Sequence, residues 1–170
     1  MIAINNKKSG CSGFSLIELL ITMAVMGIVL GIATLNFNAW QAKNRIEAQI
    51  HEIFVDLNET RTSAFTQKVR YGIIFQPDSY EIKSFNSEAE ADDPLNSGTR
   101  LAVKRMRYGI TKAGASIVDT PVVFDTSGVA SDSFTIFVTE NDVGPNVSCI
   151  AISTTRVNVG RINGTACVFK

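Results

Sequence analysis

Few residues in this 170-residue chain are equipped for chemistry. There is one histidine, His51, and there are three cysteines, Cys11, Cys149 and Cys167. A single histidine argues against a His/Cys metal cage. It leaves equally little for a Ser/His/Asp or Cys/His catalytic site. We therefore expect no metal, no cofactor and no enzymatic activity. The side chain that stands out is a carboxylate in unsuitable surroundings. Glu18 lies in GFSLIELLITMAVMGIVLGIAT, residues 13–34, which is otherwise almost wholly apolar. The rest of the composition is balanced, with 16 basic and 16 acidic side chains and 45% hydrophobic residues. That length and content suit one modest domain plus an appendage. No global basic bias points to nucleic acid, and no acidic excess points to disorder.

The element that must position Glu18 is a helix. Only Glu18, Thr22 and Thr34 are clearly polar between Phe14 and Leu35. As a helix this run is about 33 Å long, enough for a hydrocarbon core of about 30 Å. Lys7 and Lys8 are the only charges before it, which keeps that end in the cytoplasm and sends the remainder across. A cleaved secretory signal expects an apolar core of about 7 to 15 residues and an A-x-A-like site. This run is longer, and the following LNFNAWQAKNR offers no such site. A plain membrane anchor fits the length but not Glu18. A carboxylate near a helix centre costs roughly 2.5 to 3.5 kcal/mol on insertion scales. A segment stored in the membrane, and later packed against copies of itself, would give that carboxylate a positive partner.

G-FSLIELLIT resembles the N-terminal signature of type IV pilins and the pseudopilins of type II secretion. The resemblance implies a leader, residues 1–13, removed by a prepilin peptidase that cuts after Gly13. It implies N-methylation of the new terminus at Phe14. It also implies that Glu18 is matched in a filament by the terminal amine of a neighbouring subunit. A buried ion pair stabilises little by itself, but a stranded charge is costly. Glu18 would thus set the register of assembly. An interfacial glutamate solvated by lipid headgroups is the plainer alternative. In one respect the chain departs from many members of the family. They carry a proline near the end of the apolar run, where Leu35 stands here; Gly27 and Gly31 remain as weak points of about 1 kcal/mol each.

Beyond the apolar run, Ile46, Ile50, Ile53, Leu57, Thr60 and Ala64 recur at spacings of four and three. That is one narrow face of an amphipathic helix and reads as core, not as a cofactor site. Lys43, Glu47, Asp56 and Glu59 mostly lie away from it, Phe54 and Val55 widen it, and His51 reads as a surface or boundary residue. One helix is predicted from about Phe14 to Thr66, its assembly part at residues 14–35 and its amphipathic part at 36–67.

Short β runs follow, filling a head at residues 68–170. They are Tyr71–Phe75, Tyr80–Phe85, Arg100–Ile110, Pro121–Phe124, Ser133–Glu140, Val147–Ser153, Val157–Ile162 and Ala166–Phe169. The turns QPDS, TKAGA, DTSG, NDVGPN and NG separate them. Phe134, Ile136 and Val138 alternate as in a strand with one buried face. The acidic segment NSEAEADDPLNSG, residues 86–98, reads as an exposed loop. It does not match an ordered calcium loop.

The head sharpens the resemblance. FVDLNETRTSAFTQKVRYGIIF, PVVFDTSGVASDSFTIFV and CIAISTTRVNVGRI look like the GspH/FimT branch of minor subunits. That branch implies an α+β fold, a long N-terminal helix packed on an antiparallel, sandwich-like sheet. It implies a filament subunit that primes or caps assembly in a secretion pseudopilus or a type IV pilus. Its partners would be other pilin or pseudopilin subunits, the inner membrane with its assembly platform, and the prepilin peptidase. Cys11 would leave with the leader. Cys149 and Cys167 would then share an oxidising compartment, where a bridge contributes about 3 kcal/mol. Two unpaired buried thiols are the alternative.

A second reading is DNA binding, which some members of the FimT branch perform through a basic patch near the C-terminal hairpin. Arg156, Arg161 and Lys170 lie there, and Arg100, Lys104, Arg105, Arg107 and Lys112 form a denser run. Against it, GRIN carries Asn163 where a second arginine would strengthen the case. Removing Lys7 and Lys8 also leaves 14 basic against 16 acidic side chains. What decides between the readings is whether the two basic groups share one face.

Overall fold

The structure, a computed structural model, describes residues 13–139, 144–164 and 166–169, with the side chains of residues 32–36 set aside. Lys7, Lys8, Cys11, Glu140 and Lys170 lie outside it. The chain divides into two compact units, Met1–Ala39 and Trp40–Lys170.

Helix α1 (Leu16–Gln67) has 52 residues, close to the predicted bounds. Its first part belongs to the N-terminal unit. Among the described residues no helix is long and apolar enough to cross a membrane. The expected membrane-length span is therefore not met within them; the side chains of residues 32–36, at the end of that run, fall outside the description.

In the second unit the predicted stripe is the buried face of α1. Ile46, Ile50, Ile53, Leu57 and Ala64 are all at or below 1% exposure. They pack in one core with Ile73, Phe75, Val122 and Phe124 from one sheet and Ile136, Val138, Ile150 and Ile152 from another. Each fully buried aliphatic side chain contributes about 1.5–3 kcal/mol. Val55 departs from expectation: it is exposed. Asp56 departs in the other direction and is buried.

The first sheet has the order β3-β2-β1-β5, built from β1 (Arg70–Phe75), β2 (Ser79–Phe85), β3 (Thr99–Arg105) and β5 (Thr120–Phe124). The second has the order β4-β6-β7-β8-β9, from β4 (Ile110–Lys112), β6 (Phe134–Val138), β7 (Cys149–Ile152), β8 (Val157–Asn163) and β9 (Ala166–Val168). All pairings are antiparallel. The α+β class and the antiparallel head are as expected.

One predicted strand, Arg100–Ile110, is two strands in different sheets. The cause is Gln49 of α1, which is buried. Its Oε1 accepts from the backbone N–H groups of Arg107 (3.0 Å) and Tyr108 (2.9 Å), and its Nε2 donates to the Tyr108 carbonyl at 2.7 Å. These backbone groups are satisfied without a neighbouring strand, so the ladder can stop there. The backbone N–H groups of Met106 and Ile110 donate to the carbonyls of Asp78 and Pro77, fixing the bend.

The DTSG turn carries the chain from β5 toward the second sheet. Asp125 Oδ1 accepts from the N–H groups of Ser127 and Val129. Gly128 takes φ +76°, a conformation that favours glycine, and its carbonyl accepts from Arg61 Nε of α1 at 2.8 Å. The acidic segment is not all loop: it contains α2 (Glu88–Asp92).

Candidate functional site

The first turn of α1 presents the N-terminal signature. The Ser15 carbonyl accepts from the N–H groups of Glu18 (3.0 Å) and Leu19 (3.2 Å), starting the helix. Glu18 is in that first turn, where a carboxylate suits the positive end of the helix dipole. Its carboxylate has no partner among the described residues. Phe14, just outside the helix, is 82% exposed. Leu16, Ile17, Leu19, Leu20, Ile21, Met23, Val25, Met26, Ile28, Val29 and Leu30 are all at least half exposed. This is an apolar surface running all round a helix. In water it needs a cover, whether lipid or other helices. Glu18 is the one charge within it.

The two head cysteines form a disulfide, Cys149 to Cys167, with Cα atoms 5.9 Å apart. It ties the last strand to the sheet, across β8. Gly160 of β8 pairs with Cys149. A Cβ there would lie 2.4 Å from the Val168 carbonyl oxygen and 3.0 Å from Cys167 Sγ. The bridge and β9 therefore close down over a strand position that has room for hydrogen alone.

The basic residues do not form one group. Lys104 is held at the helix, its Nζ 2.8 Å from Asp56 Oδ2 and 3.3 Å from Glu52 Oε1. Arg100 is paired with Glu81 at 3.1 Å. Lys112 lies over the Phe134 ring. Arg105 and Arg107 are exposed beside Gln49. Arg156 sits in the β7–β8 turn, and Arg161 on β8 reaches toward Gly144. Near Gly144, the Asn146 N–H donates to Glu47 Oε1 at 2.7 Å. Glu47 and Gln49 are about 200° apart around the helix. Arg105 and Arg107 thus lie on one flank of α1 and Arg161 on the other.

Sequence reasoning missed a polar cluster inside the head. Tyr80 donates its hydroxyl to Asp56 Oδ2 at 2.5 Å, and Lys104 binds the same carboxylate. Burial and then the Asp56 hydrogen bond push the Tyr80 hydroxyl far above the ordinary tyrosine range. The Asp56 hydrogen bond raises Lys104, against a smaller opposing effect of burial. The available signal was Glu52 and Asp56, acids one helical turn apart beside the apolar stripe.

Lys83 was also missed. It is buried, and its Nζ donates to the carbonyls of Pro94 (3.0 Å), Leu95 (2.9 Å) and Ser97 (3.4 Å). Among the described residues no group of three His, Cys, Asp or Glu is placed to hold a metal.

Residues 8–34 match the family description "Prokaryotic N-terminal methylation motif". A crystal structure of the type IV minor pilin FimU of Pseudomonas aeruginosa (strain PAO1) aligns with a TM-score of 0.53 at 13% identity, over 76% of this chain and 96% of that one. At that identity the likeness speaks to the fold. No curated protein matches the chain by sequence.

Proposed function

We propose that the chain is a minor, structural subunit of a type IV filament, a reading supported by the N-terminal methylation motif at residues 8–34 and by a fold like that of a type IV minor pilin. The observation that carries this is the first part of α1: an apolar helix exposed all round, with Glu18 its lone charge, inside the methylation motif. Such a surface is completed by assembly. Before assembly the subunit rests in the inner membrane by this helix, with its head in the periplasm, where a disulfide persists. Prepilin peptidase cuts after Gly13, and Phe14 becomes the methylated terminus. The amine of one subunit then meets Glu18 of another, and wrong offsets strand a charge. The head motifs support the GspH/FimT branch and a role in priming or capping, serving a secretion pseudopilus or a pilus. We assign no catalytic role. We favour this reading over DNA binding because Lys104 and Arg100 are neutralised by carboxylates, and Arg105 and Arg107 lie on the opposite flank of α1 from Arg161.

The test is a strain lacking the gene. It should lose either surface filaments or the release of folded exoproteins into the medium. Wild-type chain should restore the loss and the Glu18→Ala chain should not. A deletion strain with both properties intact would refute the proposal.

A further inference from the structure

Three arginines surround one groove in the head. Arg45 comes from α1, and Arg105 and Arg107 come from the end of β3 and the bend after it. The groove measures about 300 Å³, and its floor is Ile53, Tyr80 and Met106. All three arginines are exposed. Among the described residues none of their guanidinium groups has a carboxylate partner; the one acid at the rim, Glu52, is paired with Lys104. The bend that carries Arg107 is fixed by Gln49, so the groove is preformed.

The opposite end of the same hairpin is acidic. β2 and β3 are joined by the segment holding α2, with Glu88, Glu90, Asp92 and Asp93 in a row. Glu88 is 78% exposed even while paired with Arg70, and Asp92 is exposed. From Tyr80 at the groove to Phe85 before α2 is roughly 17 Å of strand. Along α1, Gln49 marks the groove end. Gln67, bonded to Tyr71 beside Arg70, marks the α2 end, roughly 27 Å away. An arginine-lined groove and an exposed acidic segment thus lie toward opposite ends of the β2–β3 hairpin.

We propose that the arginine groove receives the α2 segment of a second copy of this chain, stacking heads end to end. Guanidinium groups bind carboxylates in a directed, two-pronged way, and the apolar floor takes the methylene stem of a glutamate. The two surfaces are different patches of one molecule. A heterologous contact of this kind can pass from copy to copy without closing into a ring. A nucleic-acid strand fits less well: it would pass Glu52 at the rim, and the groove is the size of one or two side chains. This inference extends the filament reading but is tested separately from it.

The experiment measures self-association of the full chain in nonionic detergent by sedimentation, at low and high salt. Three variants are compared: R105E/R107E, D92K/D93K, and the chain with all four changes. Each pair alone should weaken salt-sensitive association by about tenfold or more. The fourfold variant, with both charges reversed, should recover it. Association unchanged in both pair variants would overturn the proposal. So would loss in the R105E/R107E chain without recovery in the fourfold one, which would show that the groove meets a part of the second copy other than α2. An oligo-dT single strand that binds the wild type, is lost in R105E/R107E, and meets no self-association would assign it to nucleic acid. Charge-dependent stacking in a chain whose deletion leaves filaments and export intact would sink the filament reading and spare this one.

Discussion

Tyr80 and Lys104 stand directly opposite one another on β2 and β3, and both reach the same buried carboxylate, Asp56 of α1. The helix is thus joined to the first sheet by an anion held between a phenol and an ammonium. Apolar packing sets that the helix lies on the sheet. This triad sets where along the strands it lies, because a shift by one residue would bury an unpaired charge.

Alkaline pH should release this joint. Tyr80 and Lys104 both hold their protons more tightly folded than unfolded. Unfolded, such groups titrate near pH 10 and about 10.4. Their contribution is therefore fully present below about pH 10 and is lost as pH rises beyond it. Urea unfolding at a series of pH values should show flat stability up to that point and a fall above it. Tyr80→Phe should fall less steeply; an equal slope in both proteins would count against the triad.

Gln49→Ala removes three hydrogen bonds and leaves two backbone donors and one acceptor of the β3–β4 bend without partners. The expected cost is about 2–3 kcal/mol. Gln49→Glu keeps the acceptor for Arg107 and Tyr108 and should recover part of it. Denaturation midpoints of the three proteins check the order.

Reducing the Cys149–Cys167 bridge should cost about 3 kcal/mol. Gly160→Ala should do something different. Its methyl group collides with the backbone of β9, so the strand must move and the cysteines with it. Thiol titration of the folded Gly160→Ala chain should find a reactive fraction that wild type lacks.

Glu18→Ala should leave leader cleavage intact and impair assembly. On the proposed reading the peptidase acts before Glu18 needs a partner, whereas filament register would depend on it. Immunoblots of cleaved chain, set beside the amount recovered in sheared filaments, separate the two steps. Normal incorporation would remove the register argument.

What was readable from sequence followed from periodicity. The stripe from Ile46 to Ala64 and the alternation of Phe134, Ile136 and Val138 each report a local period, and both proved to be core faces. What was hidden depends on distant partners. Arg100–Ile110 has the composition of one strand; its break is made by Gln49, 58 residues from Arg107. Asp56 looked like a surface acid because its partners come from two other elements. Helix α2 was different, since its signal was in plain view. In SEAE, Ser87 Oγ accepts from the Glu90 N–H at 3.2 Å and Glu90 reaches back to the Asn86 N–H at 2.8 Å. That is a near relative of the reciprocal capping pattern, with Glu90 bound to the N–H one residue before the Ser87 cap, here on a helix of one turn. At the N-terminal signature, Gly13, Phe14 and Glu18 were legible through the resemblance to a family motif, and among the described residues the Glu18 carboxylate has no partner that could have marked it.

Lys83 has a consequence for where such a subunit can work. Three carbonyls of one loop converge on its ammonium, in the manner of a cage around a dissolved cation. This cation is covalently leashed to β2. It cannot be washed out by dilution, taken by a chelator or swapped for a competing ion. A loop secured in this way keeps its shape in dilute and concentrated salt alike, wherever the chain is placed.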